Sequence, residues 1–184
     1  MSYRILVLSG ILAGFATVSV DATVRRHIDF NTLVAKANAI AHGRVVETRT
    51  MDTDDRSKIQ TVVRLEVATY LKGDLGPEIA FVVPGGTLGR YRAVVVGEPE
   101  FSEGEEVVLF LTARAPAIPR LVGSGQGVFR VSVDSRSGAR TISRVPVLST
   151  PLSTRPFARG SAANPPMSLA SFGGLVRSIM EQPQ

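Results

Sequence analysis

The chain has 184 residues, and its 21 lysine and arginine residues against 16 aspartate and glutamate residues give a net charge of +5. It contains no cysteine, which excludes a disulfide framework and leaves the packing of apolar side chains as the source of stability. The length favours a single domain, and the positive charge fits either an anionic partner or arginines scattered over a soluble surface.

Residues 1–22 have the pattern of a cleavable secretory signal peptide. Arg4 supplies a positive charge, the run from Ile5 to Val20 is uncharged, and Val20 and Ala22 occupy the −3 and −1 positions of a cleavage site. The alternative is an uncleaved membrane anchor, but a helix over this run spans about 24 Å, less than the ~30 Å hydrocarbon core. We therefore expect a periplasmic or extracellular protein with no transmembrane segment after cleavage.

Two helices are predicted in the remaining chain. The first covers residues 29–38, with Asp29 or Asn31 as its N-cap. The second covers about 169–180, with Ser168 as its N-cap, and its apolar stripe requires a partner surface. The stripe comprises Leu169, Phe172, Leu175, Val176, Ile179 and Met180.

Seven strands are predicted from alternating or β-branched apolar runs. They cover residues 39–50, 61–71, 78–83, 90–96, 106–111, 128–133 and 139–145. Gly43 interrupts the first strand and predicts a bulge or bend there. The run 106–111 is apolar on both faces, which predicts a central strand covered on both sides.

The strand at 61–71 has the clearest alternation. One face is predicted to carry Val63, Leu65, Val67, Thr69 and Leu71, and the other to carry Arg64, Glu66 and Tyr70. Polar residues at 51–58 and at 134–138 predict a loop and a hairpin turn.

Short strands without alternating helices indicate a mainly-β, antiparallel fold. A small closed barrel with both helices packed on it would remove the exposed edges that a disulfide-free β protein must protect. An immunoglobulin-like sandwich is the alternative, but its core tryptophan and cysteine pair are missing. The predicted organisation is a signal peptide (1–22), a barrel (23–145), a proline-rich connection (146–166) and a C-terminal helical region (167–184).

Three segments resemble netrin-like modules, the oligonucleotide-fold (OB) barrels best known from the tissue inhibitors of metalloproteinases. The string from Ala37 to Val46 is similar to their opening strand, and residues 67–73, ending in Lys72 and Gly73, are similar to their second strand and its lysine-glycine turn. Residues 101–111 resemble the glycine-rich approach to a later strand, and similar arrangements recur in uncharacterised exported bacterial proteins. The resemblance implies a small barrel used for binding.

The resemblance does not extend to protease inhibition. In the inhibitors an N-terminal cysteine chelates the zinc ion of the target, whereas this chain has no cysteine. The ligand of the implied binding module is therefore left unspecified.

The chain has two histidines, His27 and His42, and neither has another histidine near it in the sequence. A zinc site would therefore need carboxylates brought together by the fold. We interpret His42 as a half-buried strand residue, and no serine lies in the Gly-x-Ser-x-Gly turn that a hydrolase triad would use. The run 123–127 lacks the lysine of a phosphate-binding loop and predicts a tight turn. No catalytic, cofactor-binding or metal-binding residue, and no cofactor, is assigned.

Two acidic clusters are interpreted as surface features. The cluster of Asp52, Asp54 and Asp55 lacks the glycine turn and the distal carboxylate of a calcium loop. The cluster of Glu103, Glu105 and Glu106 is too close in sequence for its carboxylates to face each other across a glycosidase cleft, so it is predicted to form a charged turn before a buried strand.

Few aromatic residues are available to stack nucleic acid bases. Only Tyr70 and Tyr91 are predicted to face outward from strands, with Arg64, Arg90 and Arg92 near them in sequence. Together with the predicted export, this disfavours nucleic acid as a ligand.

The predicted function is that of an exported, non-catalytic binding module of the bacterial cell envelope, with an envelope protein or an anionic polymer as partner. The first alternative is an envelope hydrolase or an inhibitor of one. The second is a structural component of a surface assembly that uses residues 146–166 to reach a neighbour.

Overall fold

The computed structural model describes residues 27–52, 58–113, 118–144 and 167–182. Within them the chain is mainly β, with one helix near each end. The helices are α1 (Phe30–Lys36) and α2 (Leu169–Glu181). The strands are β1 (Ala39–Asp52), β2 (Ile59–Lys72), β3 (Glu78–Pro84), β4 (Gly86–Leu88), β5 (Tyr91–Ala93), β6 (Glu106–Thr112), β7 (Arg120–Leu121), β8 (Val128–Val133), β9 (Arg140–Arg144) and β10 (Met167–Ser168). The predicted fold class is therefore confirmed.

Eight strands form one antiparallel sheet. Its order is β10-β9-β8-β6-β1-β2-β3, and β7 pairs with β6 beside this path. Strands β4 and β5 form a separate two-stranded ribbon, which replaces the single strand predicted at 90–96. The turn at residue 134 forms as predicted, because the Asp134 carboxylate accepts hydrogen bonds from the amides of Arg136 and Ser137.

Strand β6 is buried on both faces, as predicted. Its alternate residues contribute to two apolar clusters, one on each side of the sheet. The inner cluster comprises Ala41, Val45, Val63, Leu65, Ile79, Phe81, Val83, Val107, Leu109, Leu111 and Val128. The outer cluster comprises Leu33, Val34, Ala37, Ile40, Val108, Phe110, Val122, Phe129, Val131, Ile142, Phe172 and Val176.

Both helices pack on the outer face and begin where they were predicted to begin. The Asp29 carboxylate caps α1 by accepting a hydrogen bond from the Thr32 amide, and the Ser168 hydroxyl caps α2 by accepting one from the Ser171 amide. Phe172 enters the outer cluster and contacts the ring of Phe129, with 5.0 Å between centroids. The outer core therefore lies between the sheet and the two helices.

A bulge changes the faces that the second half of β2 presents. Gly43 is opposite Val67 and His42 is opposite Thr69, so Ala68 is an extra residue without a partner. An extra residue reverses the subsequent alternation of side chains. The prediction that β2 carries one apolar face as far as Leu71 is therefore wrong. Leu71 packs against the outer cluster.

Tyr70 is reversed by the same bulge. It was predicted to face outward, but it packs against the inner cluster, and its hydroxyl donates a hydrogen bond of 2.7 Å to the Gly76 carbonyl. Burial raises the pKa of Tyr70. This tyrosine is therefore not a surface platform for stacking.

The irregularity predicted at Gly43 is also present. The β1–β2 register shifts between His42 and Gly43, and a Cβ atom at Gly43 would lie 2.2 Å from the Glu66 carbonyl oxygen. Only glycine permits this close approach of the two backbones. The strand is thereby held against β2 beside His42.

The predicted closure into a barrel is not observed in the described residues, where the sheet path ends at β3 and at β10. Closure on the inner side would require β7 to pair with β3, since Leu121 packs against the same cluster as the β3 side chains. Strand β7 is two residues long and follows Pro119, which has no amide hydrogen. So short a strand supplies too few backbone groups for a ladder to β3.

Several predictions lie outside the described residues. These are the signal peptide at 1–22 and the proline-rich connection at 146–166, together with Asp54 and Asp55 of the acidic loop. No described helix is long and apolar enough to cross a bilayer.

Candidate functional site

The outer face of the sheet becomes polar where the helical cover ends. Along β1, Ile40 lies in the outer cluster, and His42 and Arg44 follow it on the same face. Along β6, Glu106 precedes Val108 on that face, and Arg140 of β9 lies on the same side as Ile142. Strand alternation alone therefore brings four polar side chains from three strands to one border of the outer core.

Glu106 is the centre of this group. One carboxylate oxygen lies 2.8 Å from His42 Nε2 and 3.0 Å from Arg140 Nε. The other lies 3.5 Å from Arg44 Nη2. Glu106 is 8% exposed and His42 is 9% exposed, so both partners of the central contact are buried. A buried carboxylate needs such partners, because burial without them is costly.

The protonation state of Glu106 follows from these contacts. Burial raises the pKa of its carboxyl group, but the hydrogen bond and charge of His42, together with those of Arg140, outweigh burial and hold the pKa below its ordinary value. Glu106 is therefore ionised near neutral pH and can only accept hydrogen bonds. It follows that His42 Nε2 carries the proton of their shared hydrogen bond.

Two cavities are lined in part by His42 and Arg140. The larger, which we call the groove, has a volume of about 520 Å³, and the smaller, which we call the cleft, about 270 Å³. The groove is lined by His42, Thr69, Leu71, Gly138, Ala139, Arg140, Ser168, Leu169, Ala170, Gly173 and Arg177. The cleft is lined by His42, Gly43, Arg44, Glu66, Val67, Ala68, Glu106 and Arg140.

Helix α2 forms one wall of the groove. Leu169, Gly173 and Arg177 are spaced by one turn each, so this wall runs for roughly 12 Å along the helix. Gly173 is buried, and a Cβ atom placed there would lie 3.4 Å from Leu71 Cδ2, which also lines the groove. A side chain at Gly173 would therefore take up space in the groove.

Two arginines of the groove have hydrogen-bonding capacity left. Arg140 uses Nε to contact Glu106, and neither of its terminal nitrogens has a hydrogen-bond partner among the described residues. Arg177 is exposed on α2 and lines the groove, and its guanidinium group has no ion-pair partner in the described part of the chain. Guanidinium groups of this kind bind carboxylates and phosphates through paired N–H donors.

The other residues weighed in the sequence do not join this site. Glu105 lies on the opposite face of the sheet from Glu106 and contacts Arg130, while Glu103 accepts a hydrogen bond from the Thr48 amide. The three carboxylates thus diverge, as predicted for a charged turn. His27 is exposed before α1, and Asp52 is exposed at the end of β1.

The glycine-rich run 123–127 forms the tight turn that was predicted. Its residues make a short 3-10 helix before β8. A Cβ atom at Gly127 would lie 2.4 Å from the Val122 carbonyl oxygen, so this turn requires glycine. Ser124 donates a hydrogen bond of 2.8 Å to Glu98, on a different part of the surface from the groove.

Sequence reasoning interpreted His42 as a half-buried strand residue, assigned it to no site and did not find its partners. Arg140 and Arg177 follow no motif, and Thr69 was assigned to the inner face. A useful signal was available in β6, since Glu106 opens a strand that is otherwise apolar on both faces. A charged residue at such a position is buried and requires a partner, which points to a polar group on a neighbouring strand.

Metal binding finds no support in this site. No group of three or more histidine, cysteine, aspartate or glutamate side chains that could hold a metal ion occurs among the described residues.

Comparison with known proteins adds no identity. No family model, no curated protein and no solved structure matches this chain.

Proposed function

We propose that this protein is an exported, non-catalytic binding module of the bacterial cell envelope, and that its ligand carries a negative charge and binds in the groove. The observation that carries the proposal is Arg140. Its Nε atom is held by the buried Glu106 carboxylate at 3.0 Å, and its two terminal nitrogens have no hydrogen-bond partner among the residues that the structure describes. A guanidinium group positioned in this way is ready to bind a carboxylate or phosphate with both terminal nitrogens.

The surroundings of Arg140 support an anionic ligand. Arg177 adds a second positive charge to the groove, while the charge of Glu106 is already offset by its contacts to His42 and Arg140. The positive net charge of the whole chain acts in the same direction by attracting anions to its surface. The volume of the groove is in the range of small-molecule sites.

The proposed location and the proposed lack of catalysis have separate support. Residues 1–22 have the charge and hydrophobicity pattern of an export signal. His42 donates Nε2–H to a carboxylate that is itself tied to Arg140, and the Ser168 hydroxyl beside the groove is used to cap α2. These contacts give the polar groups structural roles. The resemblance to netrin-like modules stays a prediction.

The proposal is tested by following amide and arginine Nε–H signals in NMR spectra while inorganic phosphate or acetate is added. We expect shifts at Arg140 and in the first two turns of α2, and at least fivefold weaker binding in Arg140→Gln. The matched control is Arg92→Gln, which removes the same charge from the β4–β5 ribbon, where Arg92 pairs with Glu100. Equal weakening in both variants, or no shift near the groove, would overturn the proposal.

One observation favours a hydrolase as the second candidate. The His42–Glu106 pair resembles a general base and the carboxylate that orients it. Peptidase, esterase and glycosidase substrates, supplied with and without divalent metal ions, separate the two functions. Turnover that disappears in His42→Ala would establish the enzyme, whereas a binding module shows none.

A further inference from the structure

We infer that the ligand is a single-chain amphiphile, with a negatively charged head at Arg140 and an apolar chain lying along α2. This inference rests on the proposed function, because it names the class of anion that the groove binds. It is carried by the juxtaposition of two chemically different cavities that share only His42 and Arg140.

The groove is built for an apolar chain. Its apolar lining is formed by Leu71, Ala139, Leu169, Ala170 and Gly173, while Thr69, Ser168 and Arg177 add polar groups to the walls. The two leucines also pack against the outer cluster, so the floor of the groove is continuous with the apolar core. A methylene chain placed there removes its own surface and that of the walls from water.

The head lies at Arg140, which lines both the groove and the cleft. The cleft is also lined by Arg44, by Glu66 and by the buried Glu106, which contacts both arginines. A head group at Arg140 is therefore attracted by two guanidinium groups and repelled by one exposed carboxylate. This balance favours a head with a low negative charge, such as a carboxylate or a phosphate monoester, over a polyanion.

Backbone pairing disfavours an extended peptide in the groove. Strand β1 is paired with β2 and β6, and β9 is paired with β8 and β10. Strands β1 and β9, which supply His42 and Arg140, thus have neighbours on both sides and offer no free edge for an added strand. Strand β10, which supplies Ser168, ends the sheet path but is only two residues long. Recognition has to come from side chains, which suits an apolar chain without hydrogen-bonding groups.

The test is a titration calorimetry series on the purified chain with straight-chain carboxylates from hexanoate to dodecanoate, each below its micelle concentration. Complete burial of one methylene strengthens binding about fourfold. Because the groove is partly open, we expect at least a twofold fall in Kd for each added methylene. Alkyl phosphates of the same lengths compare the two head groups, and alkyltrimethylammonium ions test whether the negative charge is needed.

Two variants locate the head. Arg140→Gln should weaken carboxylates of every length by a similar factor, about five to tenfold, and leave the dependence on chain length unchanged. Glu66→Gln removes the repelling carboxylate from the cleft and should tighten binding about two to threefold. Opposite effects at these two positions place the head between them, and melting temperatures verify that both variants fold.

The outcomes separate this inference from the proposed function. If acetate and hexanoate bind as tightly as dodecanoate, the amphiphile is wrong and the anion site stands. If alkyltrimethylammonium ions bind as tightly as the carboxylates, the charged head is wrong. If no anion of any length binds, both the inference and the proposed function fail.

Discussion

The two faces of the sheet are built from the same strands but have different composition. The inner cluster consists of aliphatic residues and Phe81, and its members come from β1, β2, β3, β6 and β8. The outer cluster lies under two helices and contains three of the four phenylalanines that contact one another there, Phe110, Phe129 and Phe172, with Phe30 beside them. The outer face continues into the buried polar residues His42 and Glu106.

This difference shows how one sheet separates stability from binding. The buried residues of the inner cluster all come from strands, so they need only to fill space. The outer face depends on helices for its cover, and α2 covers only part of it. The border of that cover exposes strand residues next to a helix, which is where His42, Arg140 and the groove lie.

The largest expected effect is the loss of packing on either face. Phe81→Ala on the inner face and Phe110→Ala on the outer face each remove a fully buried ring, and each should cost about 3–5 kcal/mol of unfolding free energy. Urea denaturation followed by circular dichroism measures both. A loss below about 1 kcal/mol at one of them would show that its face is not a packed core.

The polar contacts of Glu106 should contribute less to the unfolding free energy than either apolar cluster. Glu106→Gln keeps the shape of the side chain but removes the charge that holds His42 and Arg140, and we expect a loss of about 2 kcal/mol at pH 7. Glu103→Gln is the control, because Glu103 is exposed and, among the described residues, accepts a hydrogen bond only from the Thr48 amide. Equal losses in the two variants would mean that the contacts of Glu106 with His42 and Arg140 stabilise the protein no more than an exposed hydrogen bond does.

Acid should remove the advantage of Glu106 over glutamine. The pKa of Glu106 is lowered in the folded protein, so its stabilisation is complete above the pKa of unfolded glutamate, about 4.3, and is lost as the pH falls through the lower folded pKa. Unfolding free energies of the two proteins should therefore differ at pH 7 and converge as the solution is acidified below pH 4. If the difference in unfolding free energy stayed constant across this range, the conclusion that Glu106 is ionised in the folded protein would be wrong.

The smallest expected effect on stability concerns the paired glycines of α2. Gly173→Ala and Gly174→Ala should each stabilise the helix by about 0.5–1 kcal/mol, since alanine is the better helix former. They differ in their surroundings, because the new methyl group at 173 faces Leu71 at 3.4 Å, whereas nothing lies within 4 Å of one at 174.

Ligand binding should therefore distinguish the two glycine variants. Gly173→Ala narrows the groove and should weaken decanoate binding several-fold, while Gly174→Ala should leave it unchanged. Thermal melts and calorimetry on the two variants provide the comparison. Weakened binding in Gly174→Ala, or unchanged binding in Gly173→Ala, would show that the ligand does not bind in the groove.

Local patterns predicted most elements of the described fold. The caps at Asp29 and Ser168, the double burial of β6 and the turn after β8 depend on neighbours within a few residues, so the sequence displays them. The faces of β2 were predicted only as far as Val67. The bulge at Ala68 arises from the pairing of β2 with β1. Because the reversal of the faces depends on the partner strand, the hydrophobic pattern of β2 alone does not show it.

The sequence by itself determined that this protein is mainly β with a capped helix near each end, because hydrophobic periodicity and capping act over a few residues. Only the tertiary structure decided that the sheet stays open along the described strands, that Thr69 and Leu71 turn outward, and that Arg140 meets a glutamate 34 positions away. Contacts of this kind depend on strand order and register, which are set by long-range packing. The residues of the candidate site come from strands and a helix that are brought together by these long-range contacts.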